Sequence, residues 1–152
     1  MNQALIANTT LSHGTIECAD TLASRRFYQD FLGLGSVRPL PEAQYLWQGG
    51  KWSLVCVAIG SEPRPQGPEN RFGLRVATAA EVDAAFVAAM ERRETYGIRH
   101  IEPVTQTNGI RSMMLCDLDG NWWEIYHRPA ALYDELFARG EGEPDAHRRS
   151  RT

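Results

Sequence analysis

Long apolar runs are missing from this sequence, and none approaches the roughly 20 residues that a membrane-spanning helix needs. A basic excess is missing too: Lys and Arg number 16 against 19 Asp and Glu, for a net charge of -3 and a pI near 5.8. Without a basic stripe there is little to neutralise phosphates, so neither nucleic acid nor an anionic membrane is an expected partner. Cysteine is scarce. Cys18, Cys56 and Cys116 are an odd set in apolar, strand-like runs, which reads as three reduced core thiols and not as a disulfide framework. The first ten residues lack the basic start and apolar centre of a signal peptide. The expected location is cytoplasmic, and no nucleotide cofactor is expected.

What is present is an ordinary globular composition, 43% hydrophobic and 23% charged over 152 residues. That is one domain's worth of chain, able to bury a core without staples. After an arm at 1–10, residues 11–18 read as a strand. Asp20 and Thr21 cap a helix expected over 22–32, with Ala23, Phe27, Tyr28, Phe31 and Leu32 at helical spacing and Gly33 ending it. Strands are expected at 34–39, 45–48 and 52–59, with Gly49-Gly50 as the turn between the last two. The segment 60–70 is rich in Pro and Gly and reads as a linker. Strand, helix and three strands then recur. Residues 71–77 form the strand, and Thr78 with Glu81 makes a capping box. A stripe of Val82, Ala85, Phe86, Ala89 and Met90 follows, Gly97 stops the helix, and strands are expected at 98–105, 110–116 and 122–127. A short C-terminal helix at 131–139 and a charged tail at 140–152 complete the chain.

This is an internal duplication. The segment HGTIECAD from His13 superposes on RFGLRVAT from Arg71, and Gly50-Lys51-Trp52 superposes on Gly120-Asn121-Trp122. The predicted class is α+β: two βαβββ modules, 11–59 and 71–128, as paired open mixed sheets around a cavity. Each sheet buries one face on its own helix.

The stretches RRFYQDFLGL from Arg25 and DLDGNWWE from Asp117, with His13 opening the first strand and Glu124 on the last, resemble the vicinal oxygen chelate superfamily. That superfamily includes glyoxalases, extradiol dioxygenases and bleomycin-resistance proteins. The resemblance covers about 11–128. It implies paired βαβββ modules with a U-shaped cavity, frequent homodimers and, in the enzymes, a divalent metal held by residues of the first and last strands.

Strand alternation assigns the faces. His13, Thr15 and Glu17 are expected to face the cavity, as are Arg71, Gly73 and Arg75, and Trp122, Glu124 and Tyr126. His13 and Glu124 match the first and last metal positions that the resemblance implies, for Fe, Mn, Ni or Zn. The two positions between them do not: the counterpart of His13 is Arg71, which cannot ligate, and that of Glu124 is read as Leu54. Glu17, His100 or His127 could complete a ligand set. Arg71 and Glu124 could instead form a plain ion pair.

Arg71 and Arg75 point to a carboxylate, phosphate or phenolate ligand. Thr15, Trp47, Trp52, Met113 and Trp122 could line its cradle. The expected function is a glyoxalase- or dioxygenase-like enzyme acting on a small oxygenated metabolite, with Glu17 or Tyr126 moving protons. The alternative is a metal-free binding protein of the bleomycin-resistance type.

Overall fold

The computed structural model describes residues 5–7, 9–50, 52–129, 135 and 138–140. The expected arm at 1–10 lies partly outside these residues, and the helix at 131–139 and the tail at 140–152 lie almost wholly outside them. No helix among the described residues is long and apolar enough to cross a membrane.

The first module runs β1 (His13–Cys18), α1 (Thr21–Arg26), β2 (Gly35–Leu40), β3 (Ala43–Trp47) and β4 (Ser53–Ala58). The second runs β5 (Arg71–Arg75), α2 (Ala79–Glu91), α3 (Arg93–Tyr96), β6 (His100–Ile101), β7 (Thr105–Thr107), β8 (Ile110–Cys116) and β9 (Trp122–His127). Two mixed sheets result, ordered β1-β4-β3-β2 and β5-β9-β8-β6, with β7 also paired to β8. The first strand of each sheet is parallel to the last, and the other pairs are antiparallel. This is the α+β duplication that the sequence pattern predicts.

The caps explain where the helices begin. Asp20 accepts from the amides of Leu22 and Ala23, both at 2.8 Å. Thr78 and Glu81 satisfy each other's amides as a capping box. Two elements depart from expectation. The first helix changes pitch at Phe27 and finishes as a π-helical turn, Phe27–Phe31, before Gly33 at φ +72°. The turn brings Phe27 and Tyr28 into the core together. The strand expected at 98–105 is split into β6 and β7, because Pro103 has no amide to give to a ladder. Met90, expected on the buried stripe of α2, is exposed.

The modules are held together by the turn between β8 and β9. Asp117 Oδ1 accepts from the amides of Asp119 (2.9 Å) and Asn121 (3.0 Å). Its Oδ2 accepts from Trp123 Nε1 at 2.9 Å and from Tyr28 Oη at 3.2 Å, in the other module. Asp119 accepts from the Ala19 amide at 2.9 Å and from the Ser24 hydroxyl. Asn121 donates to the Glu17 carbonyl at 2.9 Å. Burial pushes the Asp117 carboxyl up to about 6 and holds Asp119 above the usual carboxylate range. Burial, helped by Asp117, also raises the Tyr28 phenol.

Candidate functional site

The β5–β9 ladder pairs Arg71 with Trp122, Gly73 with Glu124 and Arg75 with Tyr126. Arg71 and Glu124 are therefore diagonal neighbours on one face. Arg71 Nε donates to Glu124 Oε2 at 2.8 Å, and its Nη1 donates to the Pro68 carbonyl at 3.2 Å. The hydrogen bond to Glu124 raises the Arg71 pKa further, so the guanidinium stays charged. The pair opens on a cavity of about 560 Å³ that also contacts Glu69, Gly73, Tyr126 and Arg128. The Tyr126 ring lies over Gly73: a Cβ there would stand 3.0 Å from Cε1. The Arg128 guanidinium stacks on that ring, 5.3 Å from its centroid. Arg75 donates to the Arg128 carbonyl at 3.4 Å.

On the first module, His13, Thr15 and Glu17 are exposed while Ile16 and Cys18 are buried. The His13 ring hydrogen-bonds Ser12 Oγ at 2.8 Å and does not line the cavity of the ion pair. Thr15 and Glu17 line a separate space of about 470 Å³ that Arg71 and Asn121 also reach. The first-module counterpart of Glu124 is Val55, not Leu54. His13 pairs with Ser53 as Arg71 pairs with Trp122, so the residue two further along β4 is Val55. Leu54 is buried on the opposite face.

Other sequence candidates lie apart. Met113 sits in the core across from Ile125, and the residue across from Glu124 is Met114. Trp122 is buried, and its indole N–H donates to the Gln66 carbonyl at 2.9 Å, tying down the linker. His100 pairs with Glu102 at 2.7 Å, and the His127 ring meets the Val76 carbonyl at 3.3 Å.

Trp52 belongs to a second cavity, about 460 Å³, between the β3–β4 hairpin and β5. Trp47, Phe72 and Trp123 share it, and Arg71 supplies a charge at its edge. Phe72 links the rings, with its centroid 6.2 Å from Trp52 and 5.7 Å from Trp123. Alternation marked Phe72 and Trp123 as core and gave no sign that a gap opens beside them. The signal that could have found them is the repeat itself, since Phe72 is the counterpart of Gly14. Gly14 leaves room for Trp52, whose Cζ2 would stand 3.2 Å from a Cβ added there.

The residues around Glu124 do not fit a divalent metal. Its carboxylate already accepts from a fixed guanidinium, Val55 offers no donor at the equivalent place, and Arg71 cannot ligate. Among the described residues no group of three or more His, Cys, Asp or Glu side chains could hold an ion.

No protein-family model and no curated protein sequence matches the chain. Solved structures do. A glyoxalase/dioxygenase from Nostoc punctiforme is 22% identical with a TM-score of 0.64, over 85% of this chain and 99% of its own. A lactoylglutathione lyase from Agrobacterium tumefaciens is 19% identical with a TM-score of 0.57, over 80% and 96%. The chain has the vicinal oxygen chelate fold. TnmS3, an antibiotic-binding protein from Streptomyces sp. CB03234, shares it at 22% identity and a TM-score of 0.58, over 82% and 99%. The vicinal oxygen chelate fold thus carries proteins named as lyases, dioxygenases and binding proteins alike, and the choice among them rests on the site.

Proposed function

We propose that this protein binds a small, planar, anionic molecule, and that the Arg71–Glu124 ion pair stands where relatives of this fold would carry a metal. The supporting observation is the 2.8 Å Arg71–Glu124 contact. It fixes one guanidinium at the edge of a cavity walled by Trp47, Trp52, Phe72 and Trp123. Such a wall stacks on an aromatic ligand. The held guanidinium offers directed donors to a carboxylate or phenolate. The binding class is consistent with TnmS3 being an antibiotic-binding protein.

The second reading is the metal-dependent enzyme, with His13 and Glu124 as ligands and Glu17 or Tyr126 as proton carriers. The lyase and the glyoxalase/dioxygenase among the structural neighbours favour it. One experiment separates the two: metal content of protein purified without chelator, alongside calorimetric titration with naphthoate. Naphthoate binding with substoichiometric metal supports the binding reading. One tightly held ion per chain, lost in Glu124→Gln, overturns it.

The protein is further read as a homodimer, because both sheets end in open edges. The face of the first sheet also leaves Val37, Tyr45 and Trp47 in solvent.

A further inference from the structure

The aromatic cavity does not end at β5. A neighbouring cavity of about 650 Å³ lies between the π-helical turn and α2, and the two share Leu34, Gln48, Gly73 and Leu74 as walls. Together they follow the outer edge of β5, which among the described residues pairs on its other side with β9. The groove changes character along its length. At the hairpin end the walls are Trp and Leu side chains with Arg71 at the edge. Among the described residues the far end is walled by Phe31 and Tyr96 and carries Arg75 and Arg92 against one carboxylate, Asp30. Two guanidiniums against one carboxylate leave that end with a net positive charge, and a low-dielectric wall strengthens its pull on an anion.

We propose that the ligand is elongated: a planar apolar head between Trp47, Trp52 and Phe72, an apolar stem past Leu34 and Leu74, and an acidic end group at Arg75 and Arg92. This rests on the binding reading above and names its ligand class, an amphiphilic aryl carboxylate. The site runs along the free edge of β5, reached by Phe72 and Leu74 from the helix-bearing side and by Arg75 from the face that also presents Arg71 and Glu124. Gln48 guards the join between the cavities from an exposed position, so it can be enlarged without disturbing the core.

The test is calorimetric titration with three probes: naphthoate, a decanoic acid carrying a terminal naphthyl group, and the corresponding naphthyl decanol. Melting temperatures confirm that each variant is folded. The wild-type protein should bind the long acid at least about tenfold tighter than naphthoate and the long alcohol, roughly the free energy of one charge-assisted hydrogen bond set. Gln48→Trp should abolish the advantage of the long acid over naphthoate. Arg75→Gln with Arg92→Gln should abolish its advantage over the long alcohol. Naphthoate binding with no gain from the longer acid would overturn the elongated site and leave the binding reading standing, as would a gain that survives both sets of substitutions. No binding by any probe would overturn both.

Discussion

Strand for strand, the two modules place different chemistry at the same positions. Where the second has Arg71, Gly73 and Arg75 beside Trp122, Glu124 and Tyr126, the first has His13, Thr15 and Glu17 beside Ser53, Val55 and Val57. One face holds a half-buried ion pair beside a tyrosine. The other continues across β3 and β2 into Tyr45, Trp47 and Val37, which are exposed. The connecting turns differ in the same way. The β3–β4 turn is a glycine hairpin with Gly49 and Gly50 at positive φ. Its counterpart between β8 and β9 is a network of buried acids that grips α1 and β1. Duplication fixes the backbone plan, and each copy is then free to use its turn and its open face for a different task.

The sharpest way to break this comparison is to remove the acid at the centre of the second turn. Asp117→Ala leaves four buried donors without their acceptor, those of Asp119, Asn121, Trp123 and Tyr28. We expect a loss of about 3–5 kcal/mol in denaturant unfolding. Gln48→Ala in the first turn should stay within about 0.5 kcal/mol, as an exposed polar position does. Equal losses at the two turns would show that the network does not join the modules.

The same carboxyl predicts a pH dependence of definite sign. Its folded pKa of about 6 lies above the unfolded value of 3.8. The folded state therefore holds the proton more tightly, and this contribution is fully present below pH 3.8 and is lost as pH rises through about 6. The size is on the order of 3 kcal/mol, at about 1.4 kcal/mol for each tenfold difference in proton affinity. Asp119, raised by burial as well, adds in the same direction. Measured against Asp117→Asn in unfolding curves, the wild type should lose stability as pH rises across that window and hold steady above it. Parallel curves between pH 4 and 6 would remove the assignment.

A smaller effect is expected at the ion pair. Glu124→Gln removes the charge opposite Arg71, but the side chains are 23% and 35% exposed and Arg71 keeps the Pro68 carbonyl. The cost should be about 1 kcal/mol or less. The matching change on the first face, Val55→Gln, meets no orphaned charge. A metal-free Glu124→Gln that melts like wild type would mean that the pair contributes nothing to stability.

Much of this was legible in the sequence. The duplication, both helix caps, Gly33 and Gly97 as stops, and the outward faces of β1 and β9 follow from periodicity and local chemistry. What was not legible depends on register and on contacts between modules. A one-residue offset in the hairpin superposition put Leu54 in place of Val55, and in a strand one residue is the whole difference between core and open face. Met113, offered as a cradle residue without a register for β8, lies on the core face opposite Ile125. The Asp117 network was invisible because its partners Tyr28, Ala19 and Glu17 lie about ninety to a hundred residues away. The aromatic gap was invisible because alternation says which way a side chain points and not whether the opposite wall reaches it.

The smallest expected change in stability tests the open face of the first module. Val37 is 60% exposed and Tyr45 43% exposed, on neighbouring strands and directly paired in register. In an isolated chain, Val37→Thr with Tyr45→Thr removes side chains that are largely in water already. Thr keeps strand propensity, so the melting temperature of dilute protein should hardly move, with a change within about 0.5 kcal/mol. In a homodimer that buries this face, each apolar side chain contributes about 1.5–3 kcal/mol on leaving water. The same pair of substitutions should then shift the monomer–dimer midpoint in light scattering to about a hundredfold higher concentration or more. Matched substitutions at exposed Val87 and Met90 on α2 control for lost surface hydrophobicity alone. If both pairs leave the association state untouched, the open face is not where two copies meet. If only the β2–β3 pair disrupts association, the first module's apolar face is the docking surface, and the groove along the edge of β5 is left to the ligand.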